Sequence, residues 1–301
     1  MTFFYAAAAG CSFLAFSYLL LRTRGLRFAA MSVGVGSAIG ALLVYLNNKQ
    51  THSFIAVRKS SSLLFSPGNF KAIYQRIYEH LNDQYEERGQ LEAGEEILTV
   101  KPNVFAQNGV IDFDGVRKMW TSHIVPQLRR CVTGDHLANT TDNSVVSIEE
   151  SAVFCDIGSG VGNVCLQLLA ETNCRKVVGV EVIPSRHRAA TTAFAKALSY
   201  FPENFSGKQA IFIQDDFVNC ARRMVEENVN VIFTHSWMFD DELMKRLTEL
   251  VVSLPALLCV VTSRPLHENL LVGSQMKLVS YVHLTADWND EAPFFIYRKI
   301  T

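Results

Sequence analysis

Val153-Phe154-Cys155-Asp156-Ile157-Gly158-Ser159-Gly160-Val161-Gly162-Asn163 decides how this 301-residue chain is read. An apolar run of strand character meets a glycine-rich turn, and the helical apolar pattern Val164-Cys165-Leu166-Gln167-Leu168-Leu169 follows. A second apolar strand, Val177-Val178-Gly179-Val180, then ends on Glu181. Strand, turn, helix and strand make a β-α-β unit, whose glycines let the backbone turn tightly and approach a ligand. Glu181 stands where a carboxylate can hold the hydroxyls of a ribose. The expected occupant is a nucleotide-like cofactor.

The spacing of the glycines narrows the cofactor. A dinucleotide loop sets its third glycine three positions after the second, so that a helix N-terminus faces a pyrophosphate. Here the pattern is G-x-G-x-G, with Asp156 two residues ahead of the first glycine. That form is typical of class I S-adenosylmethionine (AdoMet) methyltransferases. AdoMet has no phosphate to cradle; it needs room for a methionine chain, an acid for the ribose and a polar edge for adenine. Asp156, Gly158, Ser159, Gly160, Gly162 and Glu181 are therefore the candidate cofactor contacts, and AdoMet is the candidate cofactor.

Composition sets further bounds. The formal net charge is −1 and the pI about 6.7, which gives no global pull toward nucleic acid. The cysteines at 11, 131, 155, 165, 174, 220 and 259 include no CxxC pair and no neighbouring His cluster. A zinc site or a disulfide framework is not expected. Cys155 and Cys165 read as small core hydrophobes.

The mean hydropathy of +0.14 is high for a soluble protein, and the excess lies at the N-terminus. Residues 3–21 carry no charge, and 28–46 form a second apolar run; each is near the ~20 residues that cross a bilayer core. Arg22, Arg24 and Arg27 lie between them. A secretory signal would carry positive charge ahead of its apolar core, and a mitochondrial presequence would be amphipathic and Arg-rich, so neither fits. The expectation is a membrane anchor over 1–48, as one transmembrane helix or a helical hairpin. A Ser-rich linker over 49–68 and a methyltransferase domain over 69–301 follow, the latter with an N-terminal helical extension and a core at 102–300. The catalytic part would face an AdoMet-containing side, cytosol or mitochondrial matrix.

Within 69–301, apolar residues at Ile73, Ile77 and Leu81 predict a helix over 70–85, with Tyr74 and Tyr78 as packing residues. Residues 116–128 read as a helix entering the core domain. From residue 152 strands and helices alternate, with strands at 210–213, 230–233 and 257–261, helices at 186–200 and 241–252, and a closing antiparallel pair at 276–284 and 294–298. The fold class is α/β, a Rossmann-like, mainly parallel sheet covered on both faces.

Several motifs together resemble the disruptor-of-telomeric-silencing family of non-SET histone lysine methyltransferases. These are the loop Asp156 to Asn163 with Gln167, Gly179-Val180-Glu181, Asp216-Phe217, Val231-Ile232-Phe233 with Trp237-Met238-Phe239, Thr262-Ser263-Arg264-Pro265, Asp287-Trp288, and Pro293 to Tyr297. The resemblance spans residues 102–300 and implies a seven-stranded class I sheet. It implies that Asp216 meets adenine with Phe217 alongside, against a plain reading of Asp216 as a turn cap. It sets His235, Ser236 and Trp237 beside the methyl-transfer position. Ser236 is a hydrogen-bond acceptor for the incoming amine, Trp237 a channel wall or an ordinary core aromatic, and His235 a base or a packed residue.

The sequence also departs from the family. The Tyr-Gly-Glu before the entry helix corresponds to Gln107-Asn108-Gly109, the paired Asn to His235 and Ser236, and no Lys/Arg block matches the segments that hold nucleosomal DNA. The functional expectation is thus a membrane-anchored, AdoMet-dependent protein-lysine N-methyltransferase acting on a lysine side chain, without metal. The alternatives are a nuclear histone lysine methyltransferase acting on chromatin, or a catalytically degenerate binding protein with this fold.

Overall fold

Seven strands form one sheet: β1 Val153–Ile157, β2 Lys176–Glu181, β3 Gln209–Gln214, β4 Val231–Thr234, β5 Cys259–Thr262, β6 Met276–Ala286 and β7 Asn289–Lys299. The structure, a computed structural model, describes residues 70–81, 94, 96, 97, 110–133, 148–286 and 289–300. The strand order is β3-β2-β1-β4-β5-β7-β6; β1 to β5 run parallel, and β7 enters antiparallel between β5 and β6. Four of the parallel strands, β1, β2, β4 and β5, lie inside the sheet, and β3 forms one edge. Their sequences are accordingly near-continuous apolar runs, β4 and β5 being buried at every position.

The helices are α1 Phe70–Ile77, α2 Phe113–Lys118, α3 Val125–Thr133, α4 Asn163–Glu171, α5 Pro184–Tyr200, α6 Pro202–Phe205, α7 Ala221–Glu226, α8 Asp241–Ser253 and α9 Glu268–Leu271. On one face of the sheet Phe154, Val177, Phe233 and Ile296 pack with Trp120, Ile124, Leu166 and Ala193. On the other, Cys155, Val178, Ile232 and Val260 pack with Met224, Leu247 and Val251. Alternate residues of each strand thus feed opposite cores. Local chemistry sets the helix starts. Pro184 suits the first turn of α5, and the Asp240 carboxylate accepts from Leu243 N at 2.8 Å to cap α8.

The single helix expected over 116–128 is longer and broken. A π-helical stretch, Met119–Ile124, separates α2 from α3, and the Val125 amide donates to the Trp120 carbonyl. Pro126 gives the reason: it has no amide hydrogen, and its ring crowds the carbonyl one turn back.

The fold class needs one correction. Among the described residues no helix is long and apolar enough to cross a membrane, so the fold stands without the expected N-terminal transmembrane helix or hairpin. The longest helix among the described residues, α5, has 17 residues and carries Arg186, Arg188 and Lys196, whereas a span takes ~20 mainly apolar residues. The runs 3–21 and 28–46 that carried that expectation, and the linker 49–68, lie outside the described residues.

Candidate active site

Strand order places the site. The chain leaves β1 for β2 on one side and reaches β4 on the other, and the crevice between these departures, at the carboxyl ends of the strands, is where open α/β sheets receive ligands. The glycine turn fills that point. Gly158 N and Ser159 N both donate to the Val180 carbonyl, at 2.8 and 3.0 Å, and Gly162 N donates to the Ser159 carbonyl at 2.8 Å. Gly158, Gly160 and Gly162 have φ of 78°, 54° and 81°, a region that side chains disfavour. A Cβ at Gly158 would meet nothing within 4 Å, so the turn faces open space there.

Behind the turn lies a pair of buried acids. Glu181 Oε2 accepts from Gly160 N at 2.7 Å, and Oε1 accepts from Ile183 N at 2.9 Å. Burial raises the Glu181 pKa, and the Arg186 charge and these amides oppose the rise. Asp156 lies in register with Gly179 of β2 and Phe233 of β4. Burial pushes its carboxyl up to about 8, with the Glu181 charge adding to the effect.

Asp156, Gly158, Ser159 and Gly160 line one crevice together with Asn163 and His235. Phe233, Val164, Val110 and Ile111 complete its walls. The buried Ser159 hydroxyl has no hydrogen-bond partner among the described residues. Open space at Gly158, an unpaired hydroxyl and two carboxyls fit AdoMet, whose ribose, ammonium and sulfonium call for acceptors and negative charge. Glu181 and Gly162 support the turn from outside this lining.

The remaining candidates sit on neighbouring loops. Asp216 Oδ1 accepts from Val218 N at 3.3 Å and caps a short 3₁₀ turn, Phe217–Asn219. Phe217 is buried and stacks on Phe239, with ring centroids 5.7 Å apart and planes 7° from parallel. The His235 ring tilts against Phe294 at 5.9 Å. Ser236 is fully buried; its Oγ accepts from Arg264 N at 3.2 Å and lies 3.5 Å from Ser263 Oγ, joining the β4 loop to the β5 loop. The Arg264 guanidinium also donates to the Phe239 carbonyl. Trp237 is 47 % exposed and stands beside exposed Met238. Ser236, Trp237, Asp216 and Phe217 do not line the crevice of the glycine turn. Gln107-Asn108-Gly109 and Asp287-Trp288 lie outside the described residues.

Sequence reading missed several participants. Asn163 lines the crevice, and Arg186, buried in the first turn of α5, directs its charge at Glu181. Tyr78, read as a packing residue, donates its hydroxyl to the Val161 carbonyl in the turn at 2.8 Å. Helical periodicity marks which face of a residue's helix is buried, not which backbone atom, 83 residues away, its hydroxyl reaches. No group of three or more His, Cys, Asp or Glu suited to a metal occurs among the described residues.

Comparison with known proteins gives the same reading. Residues 135–283, just under half of the chain, match the family described as histone methylation protein DOT1. A curated relative, the histone-lysine N-methyltransferase, H3 lysine-79 specific, of Caenorhabditis elegans, is 31% identical over 148 residues. That match takes in 46% of this chain and 15% of the relative, so the chain spans a small part of the relative's length. Among solved structures, the small RNA methyltransferase HEN1 aligns at TM-score 0.40 and 13% identity over 53% of this chain and 25% of that one. TrmK of M. capricolum, with S-adenosyl-homocysteine, aligns at 0.36 and 10% over 55% and 70%. At those scores the structures add no weight to the strand order. The acid-backed glycine turn thus lies in a segment, residues 135–283, that is similar to the DOT1 histone methylation proteins.

Proposed function

We propose that this enzyme transfers the methyl group of AdoMet to a lysine side chain of a histone, with residues 69–301 as its catalytic domain and chromatin as its place of work. The observation that carries the reading is where the family match falls. Every crevice-lining residue except Val110 and Ile111 lies within the matched segment 135–283. The relative that shares this segment is named for a histone lysine. The expectation of a membrane-near substrate has no support among the described residues and is set aside.

The chain's own groups divide the work. When bound, AdoMet supplies an electrophilic methyl on a sulfonium. Glu181 would hold the ribose, and Asp216 with Phe217 the adenine edge. Asp156 would meet the cationic part, whose positive charge would favour its ionised form. Phe233, Phe294 and the half-buried His235 form a largely apolar wall. Such a wall disfavours the charged lysine ammonium and exposes the amine lone pair that the displacement needs. The His235 imidazole takes the proton that the amine gives up. Ser236 keeps its turn fixed through Arg264 N, and Trp237 forms the outer lip along which the lysine stem lies.

The test is incubation of the full chain with labelled AdoMet and nucleosomes, free histones or a histone-free protein extract. Label on a histone lysine, mapped by mass spectrometry and reduced more than tenfold by Glu181→Ala, is the expected result. Label confined to the histone-free extract, or incorporation that Glu181→Ala leaves intact, would overturn the reading.

A further inference from the structure

Two side chains that line no part of the crevice grip the glycine turn from outside it. Tyr78 follows α1 and is fully buried; its hydroxyl donates to the Val161 carbonyl at 2.8 Å. Val161 lies between Gly160 and Gly162, so this bond fixes the middle of the turn. From the sheet, Phe212 of β3 stands in register with Gly179 of β2. Because residue 179 has no side chain, the Phe212 ring lies across β2. A Cβ at 179 would come within 2.6 Å of that ring and 2.8 Å of Ser159 Oγ. A Cβ at 162 would come within 2.8 Å of the same ring and 3.1 Å of Ala190 Cβ. One aromatic ring thus fills the space of two absent side chains, one in the sheet and one at the start of α4.

A segment with three glycines has unusual backbone freedom, and ordering it at the moment of binding weakens affinity. Here Tyr78 on one side and Phe212 on the other hold that segment. We propose that Tyr78 and Phe212 are positioning residues that hold the turn 158–162 in its receiving shape and so set the affinity for AdoMet. This rests on the cofactor assigned above and is independent of the methyl acceptor.

The test is calorimetric titration of the full chain and its variants with S-adenosyl-homocysteine, alongside AdoMet kinetics and melting temperature. Tyr78→Phe removes one hydroxyl and leaves a buried carbonyl unpaired. Its Kd is expected to rise about five- to tenfold, the worth of one such hydrogen bond. KM for AdoMet should rise with it, while kcat changes less than twofold. Phe212→Ala should act in the same direction, and Phe212→Met should regain most of the loss by refilling the space. Gly179→Ala should weaken binding while Phe212 is present, and the double variant Gly179→Ala/Phe212→Ala should bind more tightly than Gly179→Ala alone.

A lower melting temperature with unchanged Kd in Tyr78→Phe and Phe212→Ala would reduce both residues to packing and overturn the inference. Should Phe212→Ala fail to fold, Tyr78→Phe and Gly179→Ala make the same comparison. No heat from the unsubstituted chain would instead defeat the cofactor assignment and take the inference with it.

Discussion

At the scale of single residues, the Asp156 carboxyl couples folding, ligand and pH. In the unfolded chain it ionises near 3.8, whereas in the folded protein burial, aided by the Glu181 charge, delays ionisation to about 8. Between those values the folded state holds a proton that the unfolded state has lost. Its contribution to stability therefore falls as pH rises through this window and is level above it, by about 1.4 kcal/mol per pH unit at most. Asp156→Asn should flatten the decline, measured by urea unfolding at pH 5, 6, 7 and 8, and should be more stable than the parent at pH 8. Binding of cationic AdoMet favours the ionised carboxyl. Titrations at pH 7 in buffers of different ionisation heat should therefore show proton release on binding, and Asp156→Asn should abolish it. Asp156 and Glu181 were legible in the sequence because a strand-end acid beside a glycine turn is a local pattern. Arg186 and Tyr78 were not, since their partners are fixed only once α5 and α1 have packed.

Among the elements, α4 is the helix to which the others are tied. The Glu171 carboxylate near its end accepts from Phe70 N at 2.8 Å, Gln167 Nε2 at 2.9 Å, and Arg117 Nε and Nη2 at 2.8 and 2.7 Å. One buried acid thereby joins α1, α2 and α4. Glu171→Ala would take the acceptor from the Phe70 amide and the Gln167 side chain and remove two of the Arg117 bonds while its pairing with Asp114 stays, at a cost of about 2–3 kcal/mol. Urea unfolding should show a lower midpoint with unchanged slope, and limited proteolysis should cut sooner near 70–81. Sequence periodicity located the elements that this acid joins, because each buries one face. It extended the helix at 116–128 without interruption, since Val116, Trp120, Ile124 and Leu128 recur every four residues and read as one apolar stripe, and the signal of the break was Pro126 alone. The hairpin expected from 276–284 and 294–298 runs further, as β6 and β7, because the start of β7 extends past β5, pairs with β6 alone and carries polar residues such as Asn289 and Asp290 that look like loop.

For the molecule as a whole, binding and folding are linked. A ligand at a hundred times its Kd adds about 2.7 kcal/mol to the native state. For a domain of this size that corresponds to a rise of about 5–10 °C in melting temperature. S-Adenosyl-homocysteine should give such a rise in the parent, and Glu181→Ala should abolish most of it in the same thermal scan. The alternation of strands and helices was legible along the chain, because a parallel sheet demands crossovers that appear as alternating periodicities. Hydropathy and length of an isolated run say only that it avoids water and could reach across a bilayer, and the expectation of a spanning helix was built mainly on those two properties.

The reversal of strand order between β1 and β4 has one more consequence. The acids and the glycine turn assigned to the methyl donor follow β1, β2 and β3, while the loops after β4 and β5 are laced to each other by Ser236 and Arg264. Evolution can therefore redraft those two loops, and with them the choice of client, while the donor grip is inherited unchanged. A transplant of residues 235–239 and 263–265 between relatives is the corresponding engineering step.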